Sequence, residues 1–229
     1  VWGYVPPSTG HFVEKTGHQH DTYLHRHAKR VAERAETFWN ENRCNWLVIG
    51  GTEEALGELR DHLPKALRER LAGELHLSPQ VELGQILDRV LEIEREQERR
   101  VEAQRLEDLI ATTHGAGAGV LGLEATLLAI VEQRVRLLIV EADYAQPGWE
   151  CPSCGFLAAA RTDICPICSM TLNSQIDIIE SALVHVIEQH GDIEVVRSPE
   201  SRQILARHGG IGALLRYNYG ALVPPGSAR

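Results

Sequence analysis

Two Cys-x-x-Cys pairs constrain this chain more than any other stretch of it. They read Cys151-Pro-Ser-Cys154-Gly and, after ten intervening residues, Cys165-Pro-Ile-Cys168. Each pair can present two sulfurs from one tight turn, so that four thiolates surround one small soft cation as a tetrahedron, the geometry Zn²⁺ takes. A proline inside each turn stiffens it, and Gly155 follows the first pair where a positive φ is often needed. Two disulfides, a redox Cys-x-x-Cys and a metal-free remnant are the alternatives. The expectation is a structural zinc ribbon over residues 149–170, with Cys151, Cys154, Cys165 and Cys168 as ligands. Four thiolates leave no open coordination position, so a catalytic metal is not expected there.

The flanks of the ribbon say what it is inserted into. Upstream, from Leu123 to Ala142, a helix runs into the apolar strand Leu137-Leu-Ile-Val-Glu141. Downstream come an amphipathic helix near Ile176 to His190, the strand Ile193-Glu-Val-Val196, a short helix and Gly209-Gly-Ile-Gly-Ala-Leu-Leu-Arg-Tyr217. The ribbon is therefore an insertion between a strand and the next helix of an α/β domain. A chain of 229 residues, 43 % apolar, can build two modest domains, each with its own core. Its net charge of −9 excludes broad, non-specific attraction to nucleic acid and leaves only local contacts. No apolar run spans a bilayer and no basic-apolar signal segment opens the chain, so no membrane association and a cytoplasmic location are expected. In that compartment paired cysteines read as metal ligands rather than disulfides. The opening at Val1 reads as the inside of a domain, with N-terminal sequence expected before it.

The rest of the chain can be taken in order. Val1 to Thr16 reads as a strand remnant and a loop. Asp21 is the expected N-cap of a helix reaching Asn42, whose apolar stripe is Tyr23, Leu24, Ala28, Val31, Ala35, Phe38 and Trp39. Cys44 is expected as a buried strand residue, ahead of the strand Trp46 to Gly50. Gly50-Gly51 reads as a tight strand-to-helix turn rather than a phosphate loop, because no Lys-Ser/Thr follows. Thr52 caps a helix to about Asp61, a second helix covers Lys65 to Ala72, and Glu74 to Leu77 is a short strand. Ser78-Pro79 opens a long helix to Thr112, and its Glu/Arg alternation around 92–100 predicts an exposed linker between domains. Gly115 to Gly119 is expected as a flexible interdomain loop, and the tail from Pro224 as disordered.

At this point the chain resembles a known family. Gly122-Leu-Glu-Ala-Thr126, Leu137 to Glu141, the inserted ribbon and above all Gly209 to Tyr217 resemble the C-terminal domain of archaeal and eukaryotic class I peptide chain release factors and the Pelota-type rescue factors. Ala28-Lys-Arg-Val-Ala-Glu33, Trp46 to Gly51 and Leu63-Pro64 are similar to that family's central domain, and the composition and the short loop look more like its bacterial members. The resemblance implies an α/β chain of two domains: a ribonuclease-H-like mixed-sheet domain at residues 1–104, and an L7Ae-like α/β sandwich at 105–229 that carries the ribbon. It implies a release or rescue factor that promotes peptidyl-tRNA hydrolysis, with a non-catalytic ribosome-binding adaptor as the alternative. The implied partners are the ribosome, the tRNA acceptor end, ribosomal RNA and a translational GTPase.

The family's central domain carries a Gly-Gly-Gln tripeptide in a loop before a helix, and its glutamine helps position the attacking water. The corresponding residues here are Gly17, His18 and Gln19. His18 departs from the pattern, since a glycine pair permits dihedrals that are costly for a residue with a Cβ. Around them Lys15, Arg26, Lys29 and Arg30, with His11, His18, His20, His25 and His27, form the one basic-leaning segment of an acidic chain. Such a segment suits phosphate contacts that position RNA without reading its sequence. A catalytic metal among these histidines is not expected, because no acidic partner stands at the spacing of a known metal motif. A free nuclease would need a carboxylate cluster that the sequence does not offer.

Overall fold

A computed structural model of the chain describes residues 17–78, 80–113 and 117–217, with side chains from residue 22 onward. Lys15, His11, the opening segment and the tail from Pro224 lie outside the described residues. The chain divides into two compact units between Gln97 and Glu98. That division falls inside one helix, and the boundary expected at 104/105 lies further along the same helix.

The first unit is built from α1 (Gly17–Glu41), β1 (Leu47–Gly51), α2 (Glu53–His62), α3 (Lys65–Arg68), β2 (Leu71–His76) and the start of α4 (Leu83–Thr112). Its described sheet is two parallel strands, β1 beside β2, and not the mixed sheet expected of this half. A parallel pair needs a crossover, and α2 with α3 supplies it. Thr52 caps α2 through Ala55 N–H, as its position after the Gly50-Gly51 turn predicts. The core joins Ala32 of α1 and Ile49 of β1 to Leu56, Leu63 and Leu67, with Ala35, Trp39, Leu59 and Leu71 packed around them. Tyr23 and Phe38, expected in the buried stripe, are exposed. They sit at its margins, where the small Ala28, Ala32 and Ala35 hold α1 close to its neighbours. Asp21 lies inside α1 rather than at its cap. Cys44 is half-buried in the connection before β1, not in a strand.

The second unit holds a four-stranded mixed sheet in the order β3 (Gly119–Leu121), β9 (Ile211–Leu215), β4 (Val135–Glu141), β8 (Asp192–Val196). β9 runs antiparallel to both β3 and β4, and β8 runs parallel to β4. Helices cover both faces, which is why β4 reads as a nearly continuous apolar run. Val135, Leu138 and Val140 pack with α5 (Leu123–Val131) and α6 (Ile178–Glu188). Leu137 and Ile139 pack on the other face with Leu106 and Leu109 of α4 and Leu205 of α7 (Pro199–Ala206). A register shift between Val135 and Leu137 accounts for the one break in this alternation. Gly209 and Gly210 enter β9 with φ of 93° and 74°, and a Cβ on Gly210 would meet the Tyr144 ring at 2.6 Å. The double glycine of that motif is thus a backbone requirement.

The long helix departs most from expectation. It begins at Leu83, later than Ser78-Pro79 predicts, and although the two units divide inside it and residues 92–100 are mostly exposed, as a linker helix requires, it is not exposed along its whole length. In the first unit it lies along β2: Gln97 donates to Ala72 C=O at 3.0 Å and Ile93 fills the space over Gly73. In the second unit Glu102, Leu106 and Leu109 are buried. The Glu102 carboxylate accepts the Arg197 N–H at 2.7 Å, the Ser198 N–H at 3.1 Å and the Ser198 hydroxyl, at the N-terminus of α7. A carboxylate suits that end, where backbone N–H groups lack helical partners. The glycine segment likewise does not separate the units. It falls within the second unit, where Gly119 opens β3, while residues 114–116 lie outside the described residues.

Candidate functional site

The ribbon between β4 and α6 is a three-stranded antiparallel sheet, with β5 (Gly148–Glu150) between β6 (Leu157–Ala158) and β7 (Asn173–Gln175). Its two cysteine turns are built alike. Gly155 N–H donates to Cys151 C=O at 3.0 Å and Ser169 N–H to Cys165 C=O at 2.9 Å. Cys151 N–H then donates to Phe156 C=O and Cys165 N–H to Met170 C=O, at 2.9 and 2.8 Å. Both turns need left-handed backbone just after the second cysteine, with φ of 71° at Gly155 and 61° at Ser169. Gly155 was the legible half of that pair; Ser169 carries no glycine to announce it.

The four sulfurs converge, all within 4.8 Å of one another, with Cys151 to Cys168 at 3.4 Å and Cys154 to Cys165 at 3.5 Å. Sulfurs at the corners of a tetrahedron around Zn²⁺, with Zn–S near 2.3 Å, stand about 3.8 Å apart. The cysteines are free rather than paired in disulfides. Burial pushes the Cys151 thiol up, but N–H groups of Cys154 and Ser153 and the thiols of Cys168 and Cys154 outweigh it and lower it to about 7. At Cys154 the Phe156 N–H pulls down, yet burial and the neighbouring sulfurs of Cys165, Cys168 and Cys151 push it up to about 12. Four thiols this close cannot all ionise together unless a cation sits among them. The cluster can hold a metal ion.

Polar contacts fix the ribbon to its domain. Glu150, one residue before Cys151, accepts from Gln175 of β7 at 3.0 Å and from Ser181 of α6 at 2.7 Å. Its other oxygen faces His185 Nε2 at 3.2 Å, and the His185 ring passes beside Gly155. None of these side chains was singled out in the sequence, since none lies in the Cys-x-x-Cys turns.

In the first unit, Gly17, His18 and Gln19 form the first turn of α1, not a loop ahead of it. Their side chains lie outside the described residues, as does Lys15. Arg26, Lys29 and Arg30 are exposed on α1 at three- and four-residue spacing, so they share one face. Ala28 and Ala32 on the opposite face are buried. The structure therefore brings Arg26, Lys29 and Arg30 together. His25 does not stand with them as a free basic group. It meets Glu58 and His62 of α2, a pairing that the separation in sequence concealed. Among the described residues no helix is long and apolar enough to cross a membrane.

Comparison with known proteins gives these features a context. Residues 8–95 match the sequence model of bacterial archaeo-eukaryotic release factor family 10. No curated protein sequence matches. Among solved structures the chain resembles archaeal Pelota, in a ribosome-bound assembly with ABCE1, at a TM-score of 0.55 and 17 % identity, covering 90 % of this chain and 51 % of that one. It also resembles Dom34 of S. cerevisiae, described as a translation termination-like factor that interacts with Hbs1, at a TM-score of 0.54 and 11 % identity, covering 92 % of this chain and 56 % of that one. The chain spans about half the length of both, and at these identities the likeness is one of fold.

Proposed function

We propose that the chain is a member of the bacterial archaeo-eukaryotic release factors that acts on the ribosome, promoting hydrolysis of peptidyl-tRNA in release or rescue, a reading supported by the match of residues 8–95 to the model of family 10. The match carries this reading because it spans both the Gly17-His18-Gln19 turn and the basic face that follows it. In this account residues 1–104 act as the ribonuclease-H-like central domain and 105–229 as the L7Ae-like sandwich. Arg26, Lys29 and Arg30, with Lys15, contact phosphates of the tRNA acceptor end and ribosomal RNA and set the register of the helix on them.

Hydrolysis then asks little of the protein itself. Water adds its oxygen to the ester carbonyl of peptidyl-tRNA and a proton goes to the departing ribose oxygen. The Gln19 amide, carrying both a donor and an acceptor, holds that water in line, with Gly17 and His18 shaping the turn that presents it. No strong base is needed where the ribosome supplies the remaining groups. Cys151, Cys154, Cys165 and Cys168 hold a structural Zn²⁺ that fixes the ribbon inserted between β4 and α6, with no open coordination position and no step in the chemistry. The fold likeness to Pelota and Dom34 extends the proposal to a translational GTPase as a delivery partner and to a cytoplasmic location.

A second reading has its own support. Gly17-His18-Gln19 occupies a helical turn, and His18 stands where the family has glycine. Both favour an adaptor that binds ribosomes without hydrolysis. Peptide release from peptidyl-tRNA on purified ribosomes separates the two. The hydrolytic reading expects release by the parent protein and a drop of about a hundredfold or more in Gln19→Ala. Equal release by both removes Gln19 from the mechanism, and ribosome binding without release by either favours the adaptor.

A further inference from the structure

In the first unit, away from the cysteines, three further ligand-type atoms converge. Glu58 and His62 stand one turn apart on α2, and His25 reaches them from α1. His25 Nδ1 lies 2.5 Å from Glu58 Oε1, His62 Nε2 lies 3.2 Å from the same oxygen, and the two ring nitrogens are 3.1 Å apart. We propose that His25 Nδ1, Glu58 Oε1 and His62 Nε2 form a second metal site, for a divalent transition-metal cation of the zinc type, with its remaining coordination open to solvent.

The distances fit a cation between the three atoms. Nitrogen and oxygen ligands at about 2.0–2.2 Å from a tetrahedral ion stand roughly 3.3–3.5 Å from one another. Two edges of the triangle are within a few tenths of an ångström of that value. The third opens by moving the His25 ring, whose side chain is 57 % exposed. The chemistry of the three atoms allows the same occupant. Both ring nitrogens face the same carboxylate oxygen, and as neutral imidazoles each can turn a lone pair rather than an N–H toward a shared cation, so that one metal ion would use all three atoms at once.

The elements beneath are firm enough to keep the atoms together. Thr52 caps α2, and Leu56 and Leu63 seat it in the core with Ala32 of α1. The donor set differs in kind from the cysteine cluster. Two imidazoles and a carboxylate suit Zn²⁺, Co²⁺ or Ni²⁺, and three ligands leave a position for water or an anionic oxygen, where four thiolates leave none.

The test uses the full chain with its four cysteines already loaded with one equivalent of Zn²⁺, followed by titration calorimetry with further Zn²⁺ and, separately, absorption with Co²⁺. The parent protein takes a second equivalent, and Co²⁺ bound there lacks the sulfur-to-metal charge-transfer band of the cysteine site. His25→Asn, Glu58→Gln and His62→Asn each weaken that second equivalent at least tenfold and leave the first unchanged. His25→Asn alters an exposed side chain, so its far-ultraviolet circular dichroism matches the parent even if the α2 variants fold poorly. Saturation of the parent at one equivalent overturns the proposal. So does a second equivalent that survives in His25→Asn, since it then belongs to other histidines.

Discussion

Removing the Glu102 carboxylate is the most informative single perturbation of the fold. Glu102 is buried and accepts the N–H groups of Arg197 and Ser198 and the Ser198 hydroxyl, while Ser198 Oγ in turn accepts from Ser201 N–H at 3.4 Å. Hydrogen bonds to a charged acceptor contribute about 1.5–3 kcal/mol each, and a buried donor left unpaired costs about 1–3 kcal/mol. These terms overlap, and water can reach the exposed Arg197, so Glu102→Ala is expected to cost about 3 kcal/mol in total. For a chain of this size that is a fall in melting temperature of roughly 6–12 °C. Glu102→Gln keeps one acceptor without the charge and falls between. The exposed Glu98 on the same helix is the control, expected within about 0.5 kcal/mol as alanine. Scanning calorimetry of the three variants checks the order. A Glu102→Ala protein that melts within about 2 °C of the parent refutes the reasoning, because the second half of α4 would then not be anchored through this carboxylate.

The two cysteine turns give an asymmetric pair of substitutions. Gly155→Ala puts a Cβ 2.7 Å from the His185 ring at a φ of 71°, adding roughly 1–2 kcal/mol of backbone strain before the clash is counted, and lowers metal affinity. Ser169→Gly relieves the same backbone strain at φ 61° against a similar entropic cost, and leaves affinity within about twofold; competition with a chromophoric chelator reads both. Stripping metal with a strong chelator is expected to loosen the ribbon and change the fluorescence of Trp149, which packs on the cysteine cluster, while far-ultraviolet dichroism of the helices persists. Arg60 pairs with Glu74 through two hydrogen bonds, of 2.8 and 2.5 Å, and lowers its carboxyl from 4.5. A depressed carboxyl contributes stability that is complete above 4.5 and lost as pH falls through its lower folded value. Glu74→Gln is therefore expected to flatten the acid limb of the stability profile in that window and to leave a small offset at neutral pH, read by urea melts from pH 3 to 7.

Features written in one short stretch of sequence were legible. The cysteine spacing located the ribbon, the apolar run of β4 announced a strand covered on both faces, and Thr52 after Gly50-Gly51 fixed the start of α2. What misled was composition averaged over a helix. The Glu/Arg alternation of α4 drew attention to its solvated middle, although Glu102, Leu106 and Leu109, spaced by four and three, mark a buried stripe. The aromatic size of Tyr23 and Phe38 suggested burial, but the small alanines set how closely α1 packs. Cluster formation across elements was the least legible of all. Glu58 and His62 have the four-residue spacing of a ligand pair, yet the third member, His25, lies in another helix, and only the packing of α1 on α2 brings it near.

Association with ribosomes tests the central claim most directly, since both the hydrolytic and the adaptor readings require it. Sedimentation of the full chain with purified ribosomes at low and moderate salt is expected to carry it into the pellet. Changing Arg26, Lys29 and Arg30 together to Glu is expected to weaken binding and to reduce the dependence on salt by roughly two to three in logarithmic slope. A folded, metal-loaded protein that stays in the supernatant at low salt, or a charge-reversed variant that pellets as well as the parent, contradicts the account.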